Sequence, residues 1–233
     1  MCICIREHSI REMKRSRDTE KRSEINSAIE ELSVLVIVKP GENHEAAPAR
    51  IPTKPFLSLC YMILQVLDKV GPTMVVIRQD IDQNIKRLEA MYESNPLINS
   101  NLVEILKSET SKGIAKKRIS GSKSFVWLTR SLDLTSALLQ ALLVKEPKKN
   151  MEQAVQESYD ATLKPWHGWI SSAAFRVAIK LVPDTKTFMD LISEKDEDCD
   201  TLTEKMQILV SLLVPFLEDI HCILVSLISS FLT

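Results

Sequence analysis

Apolar residues recur at helical spacing in one segment after another, and no stretch of useful length alternates apolar with polar residues as a half-buried strand would. From residue 20 onward Ile25, Ala28, Ile29, Leu32, Leu35 and Val36 fall on one helical face. Pro40, Gly41, Pro48 and Pro52 then break the pattern into a long loop. A second apolar helix is predicted over 55–70, ended by Gly71-Pro72, and a third over about 73–92, ended by Asn95-Pro96. Further helices are predicted over about 101–112, 124–143, 151–163, 169–181 and 201–233. Only 5 of the 233 residues are glycine, fewer than the turns of a doubly wound sheet or a β-sandwich normally require. The expectation is one all-α domain of about eight helices over residues 20–233, behind a basic extension at 1–19 that is expected to be disordered.

Charge and cysteine usage narrow the function classes. Lys and Arg total 30 against 31 Asp and Glu, a net charge of −1, which argues against a nucleic-acid partner. The five cysteines are irregularly spaced, and Arg6, Glu7 and His8 interrupt the first apolar residues, so a reduced cytosolic setting is expected. Cys2-x-Cys4 with His8 lacks a second pair of metal ligands, and neither a metal nor another cofactor is expected. Residues 206–232 are rich in Leu, Val and Ile, but Pro215, Glu218, Asp219 and His221 interrupt them. A buried core helix is therefore expected there rather than a membrane anchor.

Catalytic motifs fail on inspection. Gly121-Ser122-Lys123 resembles the end of a phosphate loop, but Lys116 stands where the required earlier glycine would be. No spacing brings a nucleophile and a base together, so the expectation is a protein that is not an enzyme.

Three polar features stand out against the apolar stripes. Asp80, Asn84 and Arg87 recur at i, i+4 and i+7 along one side of the third helix. They offer acceptors, a mixed amide and a donor fork, a set suited to a polyhydroxylated group; spacing alone also fits a solvated helix face. Trp166-His167-Gly168-Trp169 brackets a lone histidine after Pro165, either packed or in contact with a ligand. Trp127 lies in the strongly apolar stretch 125–132 and is read either as core or as a binding plate.

With these residues in place the chain resembles the glycolipid transfer protein family. The matching segments are Phe56-Leu-Ser-Leu-Cys with Val66-Leu-Asp-Lys-Val-Gly, Asp80-Ile-Asp-Gln-Asn-Ile, Trp127-Leu-Thr-Arg-Ser-Leu and Leu163-Lys-Pro-Trp-His-Gly-Trp-Ile, in that order. The resemblance implies a two-layer helical sandwich enclosing a tunnel for lipid chains. It also implies a non-enzymatic monomer that holds a glycosphingolipid of the glucosylceramide type and touches membranes reversibly. By motif match the headgroup roles fall on Asp80, Asn84, Arg87, Trp127 and His167, with Lys123 as an additional contact and Trp169 as the membrane-docking residue.

Three departures accompany the match. Arg87 replaces the family's Lys, the typical C-terminal Tyr has no counterpart, and the N-terminal extension is unmatched. A sister branch that handles ceramide-1-phosphate places Lys at the Asn84 position, Arg at the Trp127 position and Arg at the Lys123 position. That branch, and a helical protein-interaction scaffold without transfer activity, are the competing expectations.

Overall fold

The computed structural model describes residues 23–35, 49–117, 119–144 and 149–230, and side chains as far as 227. The basic extension, Cys2, Cys4 and His8, Val36, Pro40, Gly41, Pro48, Arg118 and the last three residues lie outside the described residues.

Nine α-helices occur among the described residues: α1 Glu24–Val34, α2 Thr53–Val70, α3 Val75–Ser94, α4 Leu102–Ser111, α5 Gly121–Leu143, α6 Met151–Thr162, α7 Trp169–Ile179, α8 Thr185–Ile192 and α9 Cys199–Ser230. Single 3₁₀ turns, Pro72–Met74 and Lys164–Trp166, precede α3 and α7. Eight of the helices answer to predicted segments, and α8 is additional. It has only 8 residues, between Pro183 and the acidic stretch that begins at Glu194, and Asp184 caps it by accepting from the Thr187 N–H at 2.9 Å. So short an apolar pattern, with Phe188 and Ile192 as its buried positions, falls below the length at which helical period can be read from sequence.

Caps set the other starts. The Asn150 side chain accepts from the Gln153 N–H while Gln153 reaches back to the Asn150 N–H, a capping box opening α6. Asn101 caps α4 through the Val103 N–H and also accepts from the Ile51 N–H at 3.0 Å, tying the entry of α2 to α4. At the α2–α3 corner Gly71 has φ +103, a conformation that a residue with a Cβ adopts only under strain, and Pro72 follows it.

The helices close a ring. α1 packs on α2, α2 on α3, α3 on α5, α5 on α9, and α9 back on α1. Phe56 of α2 and Phe125 of α5 meet at 4.9 Å between ring centres in the core. The start of α5 is pinned by Glu109 of α4, 5% exposed, whose carboxylate accepts from the backbone N–H groups of Gly121 and Ser122 at 2.8 and 2.7 Å. A carboxylate on a helix N-terminus satisfies donors that the helix leaves unpaired. A Cβ at Gly121 would meet Met91 Sδ at 2.2 Å and Ile105 at 3.0 Å, so only glycine lets α5 approach this closely without displacing its neighbours.

By length and composition alone, α9 passes for a membrane span: its most apolar 18-residue window has a mean hydropathy of 2.1, and 33% of that window is buried. In the fold its Met206, Leu209, Leu213, Leu217, Ile220 and Ile223 are buried core residues. The helix runs on through Pro215.

Candidate functional site

A cavity of about 1220 Å³ lies between the helices, and every helix except α4 contributes to its wall. Aliphatic side chains dominate that wall: Leu32 from α1, Leu59 and Ile63 from α2, Ile77 from α3, Leu138 from α5 and Leu213 from α9. The fold leaves this volume open while burying an ordinary core around it.

The polar residues singled out in the sequence meet on this cavity. Asp80, Asn84, Arg87, Lys123, Trp127 and His167 all line it. The i, i+4, i+7 row on α3 is internally wired. Asn84, buried, donates from Nδ2 to the Asp80 carbonyl at 2.8 Å, and Arg87 Nη1 donates to Asn84 Oδ1 at 3.2 Å and to Ser124 Oγ of α5 at 2.9 Å. The amide and guanidinium are thus held in fixed orientations by α3 and α5 together. Asp80 faces solvent at the rim, yet the neighbouring protein desolvates its carboxyl and pushes its pKa up. The charges of His167, Arg87 and Lys123 oppose that rise.

Facing this row, Trp127 and His167 lie with ring centres 5.4 Å apart. His167 sits between the Lys164–Trp166 turn and the start of α7, half-buried. Burial lowers its pKa below the ordinary value, the Asp80 charge opposing and the Arg130 charge adding to the effect. The imidazole is therefore neutral near pH 7, with one nitrogen able to donate and one to accept. Trp169, two residues on, is 81% exposed, and Ile170 beside it is 64% exposed.

Three contributors escaped the sequence reading. Tyr159 of α6 is buried, stacks on Phe175 at 3.9 Å between ring centres, and sets its hydroxyl 3.1 Å from His167 Nδ1 and 3.2 Å from Ser172 Oγ. It fixes the histidine from behind. Arg130 lies between two indoles, its Cζ 5.0 Å from the centre of Trp127 and 3.9 Å from that of Trp166, and burial lowers its pKa while Asp133 opposes the shift. Its i+3 spacing from Trp127 was a usable signal. Ser124 carried none, because its pairing with Arg87 depends on how α3 crosses α5. Among the described residues no group of three His, Cys, Asp or Glu side chains is placed to hold a metal ion.

An all-helical body with an apolar chamber and a rim of hydrogen-bonding groups is a carrier for an amphipathic molecule. The comparisons give that class its family. The glycolipid transfer protein family's sequence profile matches residues 51–194. Glycolipid transfer protein 3 of Arabidopsis thaliana is 52% identical over 217 residues, covering 91% of this chain and 93% of the relative. Glycolipid transfer protein 2 of the same plant is 53% identical over 215 residues, covering 91% and 95%. Among solved structures, FAPP2, described as selecting simple glycosphingolipids with this fold, superposes with a TM-score of 0.72 at 25% identity, covering 91% of this chain and 94% of that one. A variant of the Arabidopsis accelerated-cell-death 11 protein in complex with ceramide-1-phosphate shares the fold at a TM-score of 0.75 and 17% identity, covering 89% and 96%. The chain belongs to the glycolipid transfer protein family, whose members are lipid transfer proteins and not enzymes.

Proposed function

We propose that this protein extracts a glycosphingolipid of the glucosylceramide type from one membrane and carries it to another through the cytosol, as a monomer and without a cofactor. The observation that carries the reading is the convergence of Asp80, Asn84 and Arg87 with Trp127 and His167 on the wall of one apolar cavity. A sugar ring has a C–H face that the Trp127 indole covers and hydroxyls that Asp80, Asn84 and Arg87 meet with charge-assisted or amide hydrogen bonds. In the tautomer that carries its hydrogen on Nε2, neutral His167 donates it to the ceramide amide carbonyl. The two hydrocarbon chains fill the cavity, each buried CH₂ contributing about 0.8 kcal/mol. Exposed Trp169 presents an indole suited to the headgroup boundary of a bilayer during extraction. The plant relatives' names, and the glycosphingolipid selection described for FAPP2, support the choice of a sugar lipid.

The test is vesicle-to-vesicle transfer of glucosylceramide by the wild type and by Asp80→Val and His167→Leu. Each variant leaves a desolvated ligand group unpaired, so each should lose about 5- to 150-fold in affinity with its circular dichroism unchanged. Near-normal transfer by both variants would overturn the site assignment.

A further inference from the structure

We infer that the cavity contains a hydroxyl-accepting subsite on α5, formed by Ser131 and Thr135, which selects ceramides hydroxylated on the acyl chain beside the amide. This rests on the glycosphingolipid reading above and adds a chain specificity to it.

Ser131 and Thr135 follow Trp127 at i+4 and i+8, so they lie about 6 and 12 Å further along the same helix row. Both line the cavity, among Leu132, Leu134 and Leu138 of the same helix. Each hydroxyl hydrogen is engaged within the helix: Ser131 Oγ donates to the Trp127 carbonyl at 3.0 Å, and Thr135 Oγ1 to the Ser131 carbonyl at 2.9 Å. What each oxygen presents to the cavity is therefore acceptor capacity. Each oxygen keeps unused acceptor lone pairs, which a donor entering the cavity can meet without breaking the bond within the helix. A saturated hydrocarbon chain supplies no donor there, whereas a chain hydroxyl does.

The position fits the chemistry. Trp127 lies against His167, which takes the ceramide amide in the proposed pose. A 2-hydroxyl sits on the acyl carbon next to that amide, at the depth of the first helical turn past Trp127. Ser131 is the principal acceptor, and Thr135, one turn deeper, serves a chain seated further in.

The experiment is competitive vesicle transfer of 2-hydroxyacyl and non-hydroxylated glucosylceramide of equal chain length. It uses the wild type, Ser131→Ala, Thr135→Val and the conservative Ser131→Thr. Each protein's ratio is divided by that of Ser131→Ala, which cancels the difference in how readily the two lipids leave a bilayer. On that scale the wild type should favour the hydroxylated lipid about 2- to 10-fold. Ser131→Thr should keep most of the preference, and Thr135→Val should retain an intermediate one. Equal ratios in the wild type and Ser131→Ala, with both lipids moving, would overturn the subsite and leave the glycolipid reading standing. Movement of neither lipid would overturn the glycolipid reading, and this inference with it.

Discussion

Tyr159→Phe is the most discriminating single change, because it removes one oxygen and little else. The ring stays buried and keeps its stacking on Phe175, so no side-chain cavity opens. Two contacts are lost, at 3.1 Å to His167 and 3.2 Å to Ser172. At about 1 kcal/mol each they total about 2 kcal/mol of stability, which lowers the melting midpoint of a chain this size by about 4–8 °C. The functional consequence is separate. His167 loses the hydroxyl that holds its ring, so glucosylceramide affinity should fall about fivefold, or about 1 kcal/mol. The assay pairs a thermal melt with vesicle transfer, on wild-type and His167→Leu backgrounds. If Tyr159 acts through His167, adding Tyr159→Phe to His167→Leu lowers the midpoint further but costs no additional lipid affinity. A lowered midpoint with undiminished transfer in the single variant would refute the claim that Tyr159 positions the histidine.

Trp169→Ala should weaken partitioning onto vesicles more than it weakens binding of a soluble short-chain glycolipid, since the indole is 81% exposed; equal losses in the two assays would place Trp169 in the binding site instead. His221 Nε2 lies 3.0 and 3.1 Å from the two Asp133 carboxylate oxygens, and that hydrogen bond raises its pKa despite partial burial and the opposing Arg130 charge. Its stabilising contribution is fully present below about pH 6.5 and fades as pH rises through the raised value. His221→Gln should therefore lower the melting midpoint more at pH 5.5 than at pH 8.5, by less than about 1 kcal/mol for so exposed a pair; a pH-independent loss would contradict the assignment.

Much of the frame was legible in the sequence. The stop at Gly71-Pro72 and the stripe through Ile77, Ile81, Ile85 and Leu88 belong to single helices, and a 3.6-residue period reads single helices directly. The α3 row was legible for the same reason: Asp80, Asn84 and Arg87 share a face wherever α3 packs. Packing sets Asn84 at 7% exposure against the cavity while Asp80 faces solvent, a difference within one row that spacing alone does not give. Apart from the Arg130–Trp127 contact within α5, the partnerships that missed detection act across elements. Ser124 meets Arg87 only because α3 crosses α5. Tyr159 reaches His167 only because the chain turns back after α6, and Arg130 is wedged between Trp127 and Trp166 by the same turn. Such partners depend on helix crossings, about which local periodicity carries no information.

Headgroup choice is the central claim, and competition between glucosylceramide and ceramide-1-phosphate on the wild-type protein measures it most directly. Asn84 is neutral, and Arg87 already donates to Asn84 and Ser124. A phosphate monoester would bring about −1.5 to −2 charge to the rim where Asp80 stands. The wild type should take the sugar lipid first. Replacing Asn84 by Lys, Trp127 by Arg and Lys123 by Arg adds two positive charges and removes the stacking plate, and should shift the preference toward the phosphate lipid. Wild-type protein that loads ceramide-1-phosphate ahead of glucosylceramide would contradict the account, because Arg87 and Lys123 would then outweigh the Asn84–Trp127 cradle.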